Sequence, residues 1–198
     1  MRRKHRDSAY FHLQKEKVEK NISWWKILVN YLLVIFAAVV LAYGFVTFLC
    51  QCIRMNDSSM EPLCHQRNVL LVDKISYKIR EVKRGDVVAI ERTENKNTMI
   101  IKRVVGLPGD TVAVVGGRLV INGKQTDASL FYSYIEREGR LTEPVTLDDD
   151  EYFVIGDSPS QSEDSRFVSF GDINKSEIKG RVFYAWVDHQ GKKVTNGD

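Results

Sequence analysis

The sequence predicts an all-β domain, a barrel or a sandwich, carried behind one N-terminal transmembrane helix. Two observations point there. An uncharged apolar run occupies residues 31–49, and nearly everything after it reads as short strands joined by tight turns. A third narrows the choice: strands and helical periods do not alternate regularly, so a parallel βαβ sheet is excluded.

The apolar run comes first. YLLVIFAAVVLAYGFVTFL, residues 31–49, has no charge over about 19 residues, close to what a bilayer core of about 30 Å requires. Residues 27–53 are taken as the anchor, with Trp24 and Trp25 suited to the membrane–water interface. A cleaved secretory signal would have a shorter core and a small-x-small cleavage site. Here Cys-Gln-Cys-Ile-Arg follows, which favours an uncleaved anchor. Cys50 and Cys52 then belong to the membrane end of that helix, and Cys64 reads as a small buried residue.

Charge sets the orientation. Arg2, Arg3, Lys4, Arg6, Lys15, Lys17, Lys20 and Lys26 precede the span, and only Arg54 follows it closely. Basic flanks stay inside, so residues 1–26 are expected in the cytoplasm and residues 54–198 outside. The basic segment reads as an amphipathic helix on the inner leaflet or as solvated chain.

The strands follow in order. Residues 69–72, 86–90, 99–105, 111–115, 118–121, 152–155 and 182–187 carry strand composition. Gly116-Gly117 and Asn122-Gly123 supply the positive φ angles of two-residue hairpin turns. Residues 124–150 are polar and weakly patterned, a long excursion with at most one short strand pair.

Composition excludes several function classes. A net charge of +3 with 28% charged residues is not that of an acidic or basic tail protein. Three cysteines, Cys50, Cys52 and Cys64, make neither a metal-ligand spacing nor a disulfide framework. No cofactor, nucleotide, metal or nucleic-acid site is expected.

NDSSMEP, residues 56–62, offers a serine as a nucleophile, but His5, His12, His65 and His189 do not suggest a triad. A buried neutral lysine is the next suitable base, because desolvation lowers its pKa. Lys102 lies within the apolar Ile-Ile-Lys-Arg-Val-Val run. From pattern alone, a lone lysine in such a strand more often turns outward, and such a serine is more often a plain loop residue.

Four blocks in order change that weighting. They are Ser59-Met60-Glu61-Pro62, Arg84-Gly85-Asp86-Val87-Val88, KRVVGLPGD at residues 102–110, and Gly156-Asp157-Ser158 through Ser162-Glu163-Asp164-Ser165-Arg166. Behind an N-terminal anchor they resemble bacterial type I signal peptidases, in the short single-span form typical of Gram-positive bacteria. The likeness runs from the anchor to about Trp186, and KRVVGLPGD is its most specific part.

The resemblance implies a membrane-bound Ser/Lys endopeptidase, single-pass in the cell membrane, with an all-β catalytic domain of the signal-peptidase kind. It implies Ser59 as nucleophile, Lys102 as general base and the Ser59 N–H at the oxyanion. Ser162 would hydrogen-bond the lysine, Asp157, Asp164 and Arg166 would brace the site, and Met60 would pack beside the nucleophile. Shallow apolar pockets would select small residues one and three before the cut. The implied partners are signal peptides of exported preproteins and membrane lipid, with the secretion translocon and pilin precursors as further candidates.

Four departures from the family pattern stand out. Asp57 replaces a glycine or serine two residues before the nucleophile, Leu63-Cys64 replaces Thr-Leu, Gln66-Arg67-Asn68 replaces a Gly-Asp turn, and Ser158-Pro159 follows Gly156-Asp157. Asp57 is expected to turn into solvent or to pair with a cation such as Arg67; weakening of the enzyme is the third outcome. Two other functions compete: an accessory protein for pilus or surface-structure assembly with little or no cleavage, and a self-cleaving Ser/Lys regulator. The anchor and the lack of a DNA-binding segment weigh against the second.

Overall fold

The computed structural model describes residues 24–92, 98–127, 131, 133–187 and 190–194. The basic N-terminal segment before Trp24 lies outside them.

Helix α1 (Trp24–Leu49) is apolar on all sides, and large apolar side chains from Trp24 to Phe45, and Phe48, are exposed. Its stretch Trp24–Phe45 has a mean hydropathy of 2.4 and is long and apolar enough to cross a membrane. The helix stops at Leu49, earlier than the anchor bounds taken from the sequence. Cys50 and Cys52 therefore do not sit on a membrane-end helix. They lie on strand β1 (Cys50–Arg54), paired antiparallel with β2 (Val69–Asp73) from Cys50↔Asp73 to Arg54↔Val69. Pairing to a distant segment overrides the local apolar continuity here.

Beyond β2 come a one-turn helix α2 (Ser76–Ile79), β3 (Val87–Glu91) and β4 (Met99–Gly106). A small antiparallel sheet follows, built from β5 (Thr111–Val115), β6 (Arg118–Ile121), β7 (Lys124–Gln125) and β8 (Val145–Thr146) in the order β7-β6-β5-β8. Gly116, Gly117, Asn122 and Gly123 all have positive φ, as the two hairpin turns require. The excursion at 124–150 holds β7 and β8, but these pair with β6 and β5 and not with each other.

The chain returns through β9 (Glu151–Ile155), β10 (Ile173–Asn174), β11 (Ile178–Val187) and β12 (Gln190–Lys193) to complete an eight-stranded sheet ordered β1-β2-β11-β3-β4-β9-β10, with β12 on β11. Irregular register within β11 divides its partners. Its first part pairs β3, its middle and end pair β2, and its end also takes β12. The architecture is thus mostly β, a curled sheet with a smaller sheet, following one long apolar helix in the chain.

Three apolar clusters fill it. One joins Met55, Met60, Cys64, Leu70, Val72, Val87 and Ala89; a second packs the small sheet against Phe153 and Ile155; a third gathers Val88, Ile90, Val104 and Ile173. Strand β4 runs among all three, and every residue from 101 to 106 is buried. A strand covered on both faces reads as a continuous apolar run, and Lys102-Arg103 interrupts that run.

Candidate active site

Ser59 lies on the loop between β1 and β2. Two buried side chains pin that loop into the first cluster: Met60, fully buried beside Ser59, and Cys64. The ends of the loop are tied by Met55 N–H donating to Asn68 O at 2.9 Å and Arg67 N–H donating to Met55 O at 2.9 Å. The Ser59 carbonyl accepts from Ser158 N–H at 2.9 Å, which joins this loop to the one after β9. Neighbouring Ser58 turns away and donates to Gln161.

Lys102 sits mid-strand on β4, opposite Val88 of β3. Its side chain does not turn outward: it is 2% exposed, and Nζ lies 2.7 Å from Ser59 Oγ. Burial pushes the lysine below its ordinary pKa. Asp57, Asp164 and Glu163 push back through their charges, while Arg166 adds to the lowering. A buried lysine whose neutral form is favoured, in contact with a buried hydroxyl, is the chemistry of a nucleophile and its base. His65 meets Glu61 at 3.2 Å instead, and His5, His12 and His189 lie outside the described residues.

Two buried ion pairs flank this contact. Arg103, next to the lysine, grips Asp157 with two parallel bonds of 2.7 Å and donates to Gly85 O at 2.9 Å. Arg166 pairs with Asp164 at 2.7 and 3.0 Å and also donates to the carbonyls of Pro159, Ser162 and Arg137. Bidentate pairing of this kind fixes orientation as well as charge. Asp164 further accepts from Gly156 N–H at 3.1 Å. A side chain at Gly156 would collide with Ser162 and with the Ser59 carbonyl, so glycine there permits the close approach of the two loops.

The profile of the signal peptidase family, peptidase S26, matches residues 28–187. The chain belongs to this family, as a bacterial type I signal peptidase. Relatives in the family include a probable signal peptidase I-2 of Synechocystis sp. (strain ATCC 27184 / PCC 6803 / Kazusa), 36% identical over 151 residues, 74% of this chain and 67% of that one. The signal peptidase I of Bacillus licheniformis is 37% identical over 169 residues, covering 82% and 90%. Signal peptidase I S of Bacillus subtilis (strain 168) is 31% identical over 185 residues, covering 89% and 98%. Among solved structures, a signal peptidase I from Enterococcus faecalis V583 overlaps at a TM-score of 0.41 with 28% identity, over 52% of this chain and 97% of that chain.

Within this signal peptidase, two expectations about site residues need correction. Ser162 does not hydrogen-bond Lys102; its hydroxyl donates to Asp164 Oδ2 at 2.6 Å, the stronger acceptor being an adjacent buried carboxylate. Asp57 is exposed, but its carboxylate turns back onto the nucleophile loop and does not pair with Arg67. Its Oδ1 accepts from the Ser59 N–H at 3.0 Å and from the Ser59 hydroxyl at 2.8 Å. An aspartate readily accepts from the N–H two residues on, and that local preference was the available signal in the sequence. For Gln161, which holds Ser58, the sequence offered none.

The remaining blocks serve the frame. Asp86 accepts from Tyr77, Arg80 and the Lys83 N–H, each at 3.0 Å. Asp110 accepts from Arg84 at 2.7 Å and from the Leu107 N–H at 2.6 Å, closing the turn after β4.

Proposed function

We propose that this chain is a membrane-anchored serine endopeptidase that removes N-terminal signal peptides from exported preproteins, cutting after small residues. Ser59 is the nucleophile and Lys102 the general base. The 2.7 Å contact between Lys102 Nζ and Ser59 Oγ, both buried, carries this reading.

Neutral Lys102 takes the Ser59 proton as Oγ attacks the scissile carbonyl carbon. The carbonyl electron pair moves onto oxygen, where the Ser59 N–H supplies a donor. The lysine, now an ammonium, gives the proton to the leaving amine. Water then attacks the acyl-enzyme with Lys102 again as base, and the cleaved signal peptide departs. Met60 fixes the nucleophile loop, the pairs Arg103–Asp157 and Arg166–Asp164 brace the strands and loops around it, and Ser162 holds Asp164 in place. The peptidase domain, from β1 onward, lies outside the membrane, helix α1 is the anchor, and the basic segment before it stays in the cytoplasm.

The deciding experiment is cleavage of a secreted precursor by the full chain in detergent micelles. Ser59→Ala and Lys102→Ala each lower the rate by at least about a thousandfold while the fold survives, and Ser58→Ala does much less. Normal turnover by Ser59→Ala would refute the assignment. A second reading, an accessory protein with little or no cleavage, draws on the Asp57 carboxylate engaging both Ser59 donors. An inactive wild type in the same assay would favour it.

A further inference from the structure

Three groups share one short line of hydrogen bonds. Lys102 Nζ is 2.7 Å from Ser59 Oγ, and Ser59 Oγ is 2.8 Å from Asp57 Oδ1. A serine hydroxyl has one proton to donate, and an ionised carboxylate only accepts. The Ser59 proton therefore points at Asp57, and the lysine meets Oγ with an N–H. Protons are ordered from Lys102 to Ser59 to Asp57, the reverse of the transfer that catalysis needs.

The same carboxylate oxygen also takes the Ser59 N–H at 3.0 Å. That N–H is the donor the developing oxyanion requires. A local aspartate turn accounts for this contact alone; it does not require the one to the hydroxyl. Asp57 itself is exposed, so its side chain has water to swing into.

We propose that Asp57 is a gate on the nucleophile: its carboxylate holds the resting enzyme closed by occupying both Ser59 donors, and the scissile carbonyl of the signal peptide must displace it. The inference rests on Ser59 and Lys102 as nucleophile and base. Once Asp57 swings out, the hydroxyl turns to the neutral Lys102 Nζ and gives up its proton. The Oγ–carbon bond forms, and the carbonyl oxygen takes the vacated N–H. Unproductive attack by Ser59 on other acyl groups is suppressed until a peptide fills the site.

Charge adds a second effect. Burial lowers the Lys102 pKa, and of the charges acting on it, Asp57, Asp164, Glu163 and Arg166, Asp57 leads the carboxylates that oppose this lowering. Cys64 also feels Asp57, but its thiol is pushed up to about 12 by burial and stays neutral over the working range. Removing the Asp57 charge therefore moves the acid limb of the pH–rate profile to lower pH.

The test uses the full chain in detergent micelles with one synthetic precursor bearing alanine one and three residues before the cut. Asp57→Gly and Asp57→Ser raise kcat/KM at neutral pH by about tenfold, since a donor engaged by an anion becomes free. Both move the acid limb to lower pH. Asp57→Asn, which keeps an acceptor oxygen but not the charge, moves the limb with a smaller gain in rate. It also carries the test should the glycine variant fold poorly. A merely structural aspartate would lower the rate on substitution and leave the limb in place. A drop of tenfold or more in both Asp57→Gly and Asp57→Ser, or a limb that stays or rises, overturns the gate. The double variant Asp57→Gly with Ser59→Ala is inactive; activity there would overturn the nucleophile assignment, a failure distinct from that of the gate.

Discussion

The Ser162 hydroxyl donates to Asp164 Oδ2 at 2.6 Å, and that same carboxylate is clamped by Arg166 at 2.7 and 3.0 Å. Both charged side chains are completely buried. Asp164→Ala leaves a buried guanidinium without its counter-charge, and breaking such a pair costs about 3–5 kcal/mol. Chemical denaturation of the full chain in micelles measures this. A loss below about 1 kcal/mol would mean the site is braced from elsewhere.

With Lys102 as the general base, both activity and stability should depend on pH. Burial lowers its folded pKa below the ordinary 10.5. The neutral base therefore accumulates as pH rises through the lowered value, and kcat/KM climbs with it. Between the lowered value and the ordinary one, the unfolded chain binds more protons, so stability also rises with pH across that window. Lys102→Met removes this contribution, and the rise flattens when unfolding is followed at several pH values. An unchanged slope would show that Lys102 does not titrate as assigned.

Regular local pattern was legible in the sequence. The bounds of β5 and β6 match their alternating runs, and glycines of positive φ mark the turns. Strand β1 was not legible, because Cys-Gln-Cys-Ile-Arg extends an apolar run and becomes a strand only by pairing with β2. The roles expected of Ser59 and Lys102 came from the order of four blocks; their 2.7 Å contact depends on a strand and a loop 43 positions apart. The direction of Asp57 was missed because the loop folds its carboxylate onto Ser59 instead of toward a distant cation.

One departure from the family pattern has a measurable cost. Arg67 stands where a glycine-containing turn is usual, and its φ is 71°, in the left-handed region. A side chain costs about 1 kcal/mol there, whereas glycine adopts it freely. The turn is closed by Arg67 N–H to Met55 O at 2.9 Å and Asn68 N–H to His65 O at 3.1 Å, which glycine retains. Arg67→Gly should therefore raise stability by no more than about 0.5 kcal/mol, after the unfolded-state entropy of glycine is set against the relieved strain. A lower melting temperature would contradict it.

The cysteines should differ sharply toward alkylation. Cys64 is 1% exposed and its thiol is pushed up to about 12, chiefly by burial, with Asp157 and Asp57 adding to it. Cys52 is exposed. The thiolate is the reactive form, so iodoacetamide at pH 8 modifies Cys52 and spares Cys64 until the chain unfolds. Peptide mass spectrometry reads both sites. Rapid loss of the Cys64 thiol in the folded chain would show that the nucleophile loop opens readily.

Membrane orientation is the last prediction. Helix α1 offers an apolar surface on every described side, which water would disfavour and lipid would not. Eight basic residues precede the apolar run and one follows it closely. Retention of positive flanks inside then predicts a cytoplasmic N-terminus. The peptidase domain is then expected outside, where exported precursors emerge. Proteinase K added to intact protoplasts should remove that domain and leave an N-terminal epitope tag on a protected, membrane-bound fragment. Loss of the tag with survival of the domain would invert the topology and remove the enzyme from its proposed substrates.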